Sequence, residues 1–135
     1  MSDESWILIL DDDPAMARCI ARELKVLAEP RYAATCGAAR AALADRRGLL
    51  AVVLDLELGD GRGLDVLAEL RQHDAHVPVL MLSGTGDREP VNDAQRLGAE
   101  FAYKPFVAAN LRAFADRVLQ KRLVAAFRRW VLSPA

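Results

Sequence analysis

A length of 135 residues, 53% apolar and 27% charged, suits one domain with a single core. With no run of eighteen apolar residues and no charged, apolar, small-residue leader, a membrane span is excluded and a soluble cytoplasmic chain is expected. A formal net charge of −1 excludes a general basic field for nucleic acid or anionic lipid.

Trp6 to Leu10 is an apolar run that stops at Asp11-Asp12-Asp13-Pro14. This predicts a strand and then a helix, with Asp13 as N-cap and Pro14 supplying the preset φ of the first helical position. Ala17, Ile20, Leu24 and Leu27 follow at helical spacing. Arg31 to Thr35 is less apolar and suits an edge strand, and an alanine-rich helix follows from about Ala38 to Asp45. Cys19 and Cys36 have neither metal-ligand spacing nor a disulfide-dense context, and both read as small packing residues.

Leu50 to Leu54 is too short for a helix and has the character of a strand buried on both faces of a parallel sheet. Asp55 stands at its carboxyl end, the edge where open α/β sheets place their ligand crevice; Asp also opens loops, so this residue alone does not decide. Gly59, Gly61 and Gly63 make a flexible loop, and Leu64, Leu67 and Leu70 give the next helix its buried stripe. His73 and His76 flank the end of that helix as solvated residues. Pro78 to Leu82 is the fourth strand and ends at Ser83-Gly84-Thr85-Gly86. The helix from Pro90 to Leu97 has a thin apolar face of Val91, Ala94 and Leu97, which suggests low local stability. Phe101 to Tyr103 is the fifth strand, ended by Lys104-Pro105, and a last helix from about Ala108 carries Leu111, Phe114 and Val118 on one face.

Five strand–helix repeats predict a single doubly wound α/β domain, a parallel (βα)5 sheet covered on both faces. Its strand ends bring together Asp11, Asp12, Asp55, Ser83 and Lys104. Three carboxylates at one edge repel, and a divalent cation holds them ionised; an all-oxygen set favours Mg²⁺ shared with phosphate. A lysine and a hydroxyl beside it fit phosphoryl transfer. Without histidine or thiolate in the set, zinc hydrolysis and cysteine chemistry are not expected.

These residues, with Gly63 eight positions after Asp55 and Lys104-Pro105-Phe106 closing the pattern, resemble the receiver domain of two-component response regulators over about Trp6 to Leu119. The resemblance implies a flavodoxin-like fold of strand order 2-1-3-4-5, with residues 1–122 as the receiver. Asp55 would be the phosphoacceptor, and Asp11, Asp12, Asp55 and the Glu57 backbone carbonyl would hold Mg²⁺. Ser83 and Lys104 would bind the phosphoryl oxygens. The donor would be a sensor histidine kinase, a phosphotransfer protein or a small molecule such as acetyl phosphate. Ser83 and Phe101 would be switch residues for the face of helix four, strand five and helix five, although Phe101 also reads as core. Glu57 and Thr85 would tune the lifetime of the acyl phosphate. The Lys104–Pro105 peptide is usually cis in the family. Gly59 stands where many receivers have Pro, which predicts a looser loop. Such a domain is a signalling module rather than an enzyme. Two other functions fit part of the pattern: a phosphorylation-independent binding module, and a haloacid dehalogenase-type phosphatase suggested by Asp55-Leu56-Glu57, which that family would write with Asp at the last position.

From Lys104 onward seven basic residues face one acid, Asp116. The segment is too short for a helix-turn-helix, so DNA binding is not expected of this chain. Residues 123–135 extend the last helix or begin a linker to an output domain. Leu123, Phe127, Trp130 and Val131 share one face, which would meet a second copy, meet an output domain, or fold back on its own domain. The first two are preferred; a homodimer would use this helix or the helix four, strand five, helix five face.

Overall fold

A computed structural model of the chain describes residues 4–84, 88–104 and 108–133. In chain order the elements are β1 (Trp6–Leu10), α1 (Pro14–Leu24), β2 (Glu29–Ala33), α2 (Cys36–Leu43), β3 (Leu49–Asp55), β4 (Glu57–Leu58), β5 (Gly61–Arg62), α3 (Gly63–His73), β6 (Val79–Ser83), α4 (Arg88–Arg96), β7 (Glu100–Tyr103) and α5 (Ala108–Leu132). Five strands form one parallel sheet of order β2-β1-β3-β6-β7, while β4 and β5 form a separate two-stranded hairpin. Setting the hairpin aside, this is the expected order 2-1-3-4-5 and the flavodoxin-like fold.

Alternation along the central strands builds a core on each side. Trp6, Leu8, Leu10, Val52, Leu54, Val79 and Met81 pack under α2 and α3 with Ala94 of α4. Ile7, Ile9, Ala51, Val53, Leu80 and Leu82 pack under α1 and α5. Both faces are covered, which is why β1 and β3 read as continuous apolar runs.

Several expectations are corrected. The edge strand lies at Glu29–Ala33, two residues before its expected place, and α2 begins at Cys36. Pro30 argues against a strand, but on an edge its missing N–H costs no ladder bond. Cys36 is buried as expected, whereas Cys19 is exposed on the outer side of α1 and does not pack in the core. The loop after Asp55 is not loose: Glu57 and Leu58 pair with Arg62 and Gly61. Asp60 at its turn accepts from the amides of Cys36 (2.8 Å) and Gly37 (3.0 Å), tying the hairpin to the start of α2. These bonds hold the Asp60 carboxyl below its ordinary pKa.

α5 is one continuous helix to Leu132. Its first part buries Leu111, Phe114, Ala115 and Val118 against the sheet, and the rest runs past the domain. There Leu123 (61%), Phe127 (62%) and Trp130 (75%) are exposed, so the fold-back reading of this face does not hold.

Candidate functional site

Ladder bonds hold each strand end in place. The Asp11 amide donates to Ala33 O at 3.0 Å, one residue beyond β1. The Leu56 amide donates to Leu82 O at 2.8 Å, and the Lys104 amide to Ser83 O at 2.6 Å. Asp11, Asp55 and Ser83, all buried, thus meet at the carboxyl edge with the half-buried Lys104 and the exposed Asp12.

Gly63 explains why the loop returns so closely to Asp55. Its amide donates to Leu56 O at 2.7 Å, and a Cβ here would stand 2.0 Å from the Asp55 carbonyl oxygen. Only a residue without a side chain fits, whatever its φ. The spacing from Asp55 marked this glycine in the sequence; the packing supplies its reason.

The Lys104 ammonium lies 3.0 Å from Asp55 Oδ2 and 3.4 Å from Asp11 Oδ2. Burial lowers the pKa of Lys104, but the hydrogen bond to Asp55 and the attraction of both carboxylates outweigh it, and the net shift is upward. Asp11 is pushed up by burial, against the Asp13 amide that donates to its Oδ1 at 2.9 Å and against Lys104. Asp13 in turn caps α1, accepting from Ala15 and Met16 as expected.

Carboxylate oxygens of Asp11, Asp12 and Asp55 lie within 4.8 Å of one another. Lys104 is the cation paired with this cluster among the described residues, so negative charge remains in excess. The donor set is all oxygen and partly open to solvent, which fits Mg²⁺ with several retained waters.

The Glu57 side chain is exposed beside this edge, and its amide donates to Asp55 Oδ1 at a long 3.4 Å. A Cβ at Gly84 would meet nothing within 4 Å among the described residues. Phe101 is half-buried against the α2–α3 core, edge-on to Tyr103 with ring centroids 5.2 Å apart. Thr85 and the Lys104–Pro105 peptide fall outside the described residues.

Two residues that organise the fold, Asp60 in the hairpin after Asp55 and Arg71 at the opposite edge of the sheet, went unseen in the sequence. Asp60 bonds α2 amides more than twenty residues away, and no local pattern points that far. Arg71 donates to the carbonyls of Leu97 (2.6 Å), Asp74 (3.2 Å) and Val77 (2.8 Å), fastening the loops that lead into β6 and β7. As an arginine on a helix it carried no signal of partial burial.

Comparison with known proteins agrees with this geometry. The family described as "Response regulator receiver domain" matches residues 7–116. The acid tolerance regulatory protein ActR of Sinorhizobium medicae is 34% identical over 108 residues, 79% of this chain and 56% of ActR. This chain spans about half the length of the curated relatives it matches first. Among solved structures, the receiver domain of NtrX from Brucella abortus is 36% identical with a TM-score of 0.74, covering 84% of this chain and 98% of that one. A longer NtrX structure from B. abortus is 31% identical with a TM-score of 0.78, covering 98% of this chain and 31% of that one. On its sequence match, its sheet order and its edge residues, the chain belongs to the response regulator receiver domain family of two-component systems.

Proposed function

We propose that Asp55 accepts a phosphoryl group in a Mg²⁺-dependent reaction from a phosphohistidine of a sensor kinase or phosphotransfer protein. The observation that carries this reading is the Lys104 ammonium bridging Asp55 and Asp11, with the Asp12 carboxylate beside them at an open edge. Asp11, Asp12, Asp55 and the Glu57 carbonyl would hold the cation, which when bound neutralises phosphoryl charge. An Asp55 carboxylate oxygen forms the new P–O bond as the P–N bond to the donor imidazole breaks, and the imidazole takes up a proton. Lys104 and Ser83 hold phosphoryl oxygens, Lys104 by charge and Ser83 by its hydroxyl. Water later hydrolyses the acyl phosphate and restores the carboxylate; Glu57, exposed beside this edge, and Thr85 set how fast.

The phosphorylated state shifts the face made by α4, β7 and α5, with Ser83 and Phe101 as its movable residues. Ala94 is the buried residue of α4, a thin anchorage that suits an element able to move. Residues 1–122 are the signalling unit, and residues 123–135 continue α5 toward whatever follows. Alignment of the longer NtrX structure over 98% of this chain supports that continuation. The exposed stripe of Leu123, Phe127 and Trp130 packs against a second copy, since Lys121, Arg122, Arg128 and Arg129 lie off that stripe and would not be buried with it.

The test is intact mass after incubation with Mg²⁺ and acetyl phosphate, wild type beside Asp55→Ala, with sizing of both. Wild type should gain one phosphoryl group and Asp55→Ala none. Equal gain in both, or none in wild type with either acetyl phosphate or a phosphorylated kinase, would sink the reading. Removing residues after Leu119 should lower the association state; an unchanged state would refute the helix-mediated dimer.

A further inference from the structure

Opposite the carboxylates, the amino-terminal edge of the sheet opens on a groove of about 910 Å³. Four arginines line it: Arg31 from β2, Arg47 after α2, and Arg122 and Arg129 from the part of α5 that overruns the domain. Arg122 and Arg129 are seven residues apart, two helical turns, so both sit on the side of α5 that faces the groove.

Among the described residues, the two acids that line the groove, Glu4 and Asp45, do not balance these charges. Asp45 is already paired with Arg47 at 2.6 Å. Glu4 is the other acid, and Arg31 lies over the Trp6 ring, 4.3 Å from its centroid. Among the described residues Arg31, Arg122 and Arg129 make no ion pair. The remaining basic residues of α5 before the overrun are treated differently, since Arg112 pairs with Glu23 and Arg117 with Glu100.

Guanidinium forks match phosphoryl oxygens two at a time, and several around one space repel until an anion of higher charge enters. The volume is that of a small-molecule site. We propose that this groove binds a small polyphosphate-bearing anion, of the nucleoside polyphosphate or inorganic polyphosphate class, gripped between Arg31 on one side and Arg122 and Arg129 on the other, beside the Arg47–Asp45 pair. Its occupancy draws the overrun of α5 against the sheet edge, so the ligand sets the orientation of the helix that leaves the domain. This holds whether or not Asp55 is phosphorylated.

The test is calorimetric titration of the full chain with tripolyphosphate and with ATP at low and moderate salt. Three proteins are compared: wild type, the Arg122→Ala/Arg129→Ala double variant, and an Arg112→Ala/Arg128→Ala control that loses the same charge outside the groove. Circular dichroism confirms that each is folded. Wild type should bind one equivalent saturably, the groove variant at least about tenfold more weakly, and the control like wild type. Equal weakening in both variants would reduce the effect to general charge attraction and overturn the site. Absence of saturable binding by either ligand, or tighter binding of random single-stranded DNA than of tripolyphosphate, would overturn it as well.

Discussion

The two ends of one parallel sheet carry opposite chemistry in this molecule. At the carboxyl edge, three carboxylates and an ammonium converge on each other and leave negative charge in excess. At the amino edge, side-chain donors serve backbone carbonyls instead: the Arg71 guanidinium holds four loop carbonyls, and the neutral Trp6 indole donates to Arg47 O at 2.7 Å. Polar groups that satisfy backbone contribute stability, whereas like charges gathered in excess of their partners suit a ligand of opposite charge. By the same criterion the arginines beside α5 stand apart from the rest of the amino edge.

The largest effect should come from disturbing the carboxyl edge through its backbone. Gly63→Ala forces a Cβ onto the Asp55 carbonyl, which should cost on the order of 3 kcal/mol in chemical denaturation and displace Asp55. A fully stable Gly63→Ala variant would mean that α3 does not press on the site. Arg71→Ala leaves part-buried carbonyls without their donor and should lower stability by about 2 kcal/mol, with no direct effect on phosphoryl acceptance in protein that remains folded. If acceptance failed in that folded variant, the division between the two edges would be broken.

Smaller changes sharpen the contrast. The Asp74 carboxylate accepts from the amides of His76 (2.9 Å) and Val77 (3.0 Å) in the loop before β6. Burial raises its pKa, but these bonds and Arg71 more than offset it, so the folded value lies below 3.8. A depressed carboxyl pKa gives stability that is present above 3.8 and lost as pH falls through the folded value. Asp74→Ala should therefore cost about 1 kcal/mol at neutral pH, and the difference from wild type should shrink on acidification below that point. A difference that grew in acid would reverse the assignment. Asp11→Asn should do the opposite of a structural lesion, raising the melting temperature of the metal-free protein while removing its stabilisation by Mg²⁺, because one of three crowded carboxylates is gone. A lower melting temperature would show that Asp11 stabilises the fold. The smallest effect is expected at Cys19, which is exposed: Cys19→Ser should leave the melting temperature unchanged, and a thiol reagent should label Cys19 in the folded protein while sparing buried Cys36.

The same contrast governs what was legible beforehand. Apolar runs that stop at an acid, Leu10 before Asp11 and Leu54 before Asp55, announce both a buried strand and its chemically active end, so the carboxyl edge could be assembled from local signals. The amino edge could not, because Arg31 acts on Trp6 and Arg71 joins its own loop at Asp74 and Val77 to the distant Leu97, and nothing in their own neighbourhood distinguishes them from solvated arginines. β2 was misplaced for a related reason: Pro30 is an obstacle only if the strand is central, and edge position is a property of the sheet, not of the segment. Gly59 misled in the other direction, because the hairpin's order comes from Asp60 and its bonds to α2.

The most direct test of the central claim is to locate the phosphoryl group. After treatment with Mg²⁺ and a phosphoryl donor, borohydride reduction converts an aspartyl phosphate to homoserine, which peptide mass spectrometry places in the chain. Homoserine at position 55 alone is the predicted result. Homoserine at position 11 or 12, or none in protein that has gained a phosphoryl group, would contradict the account.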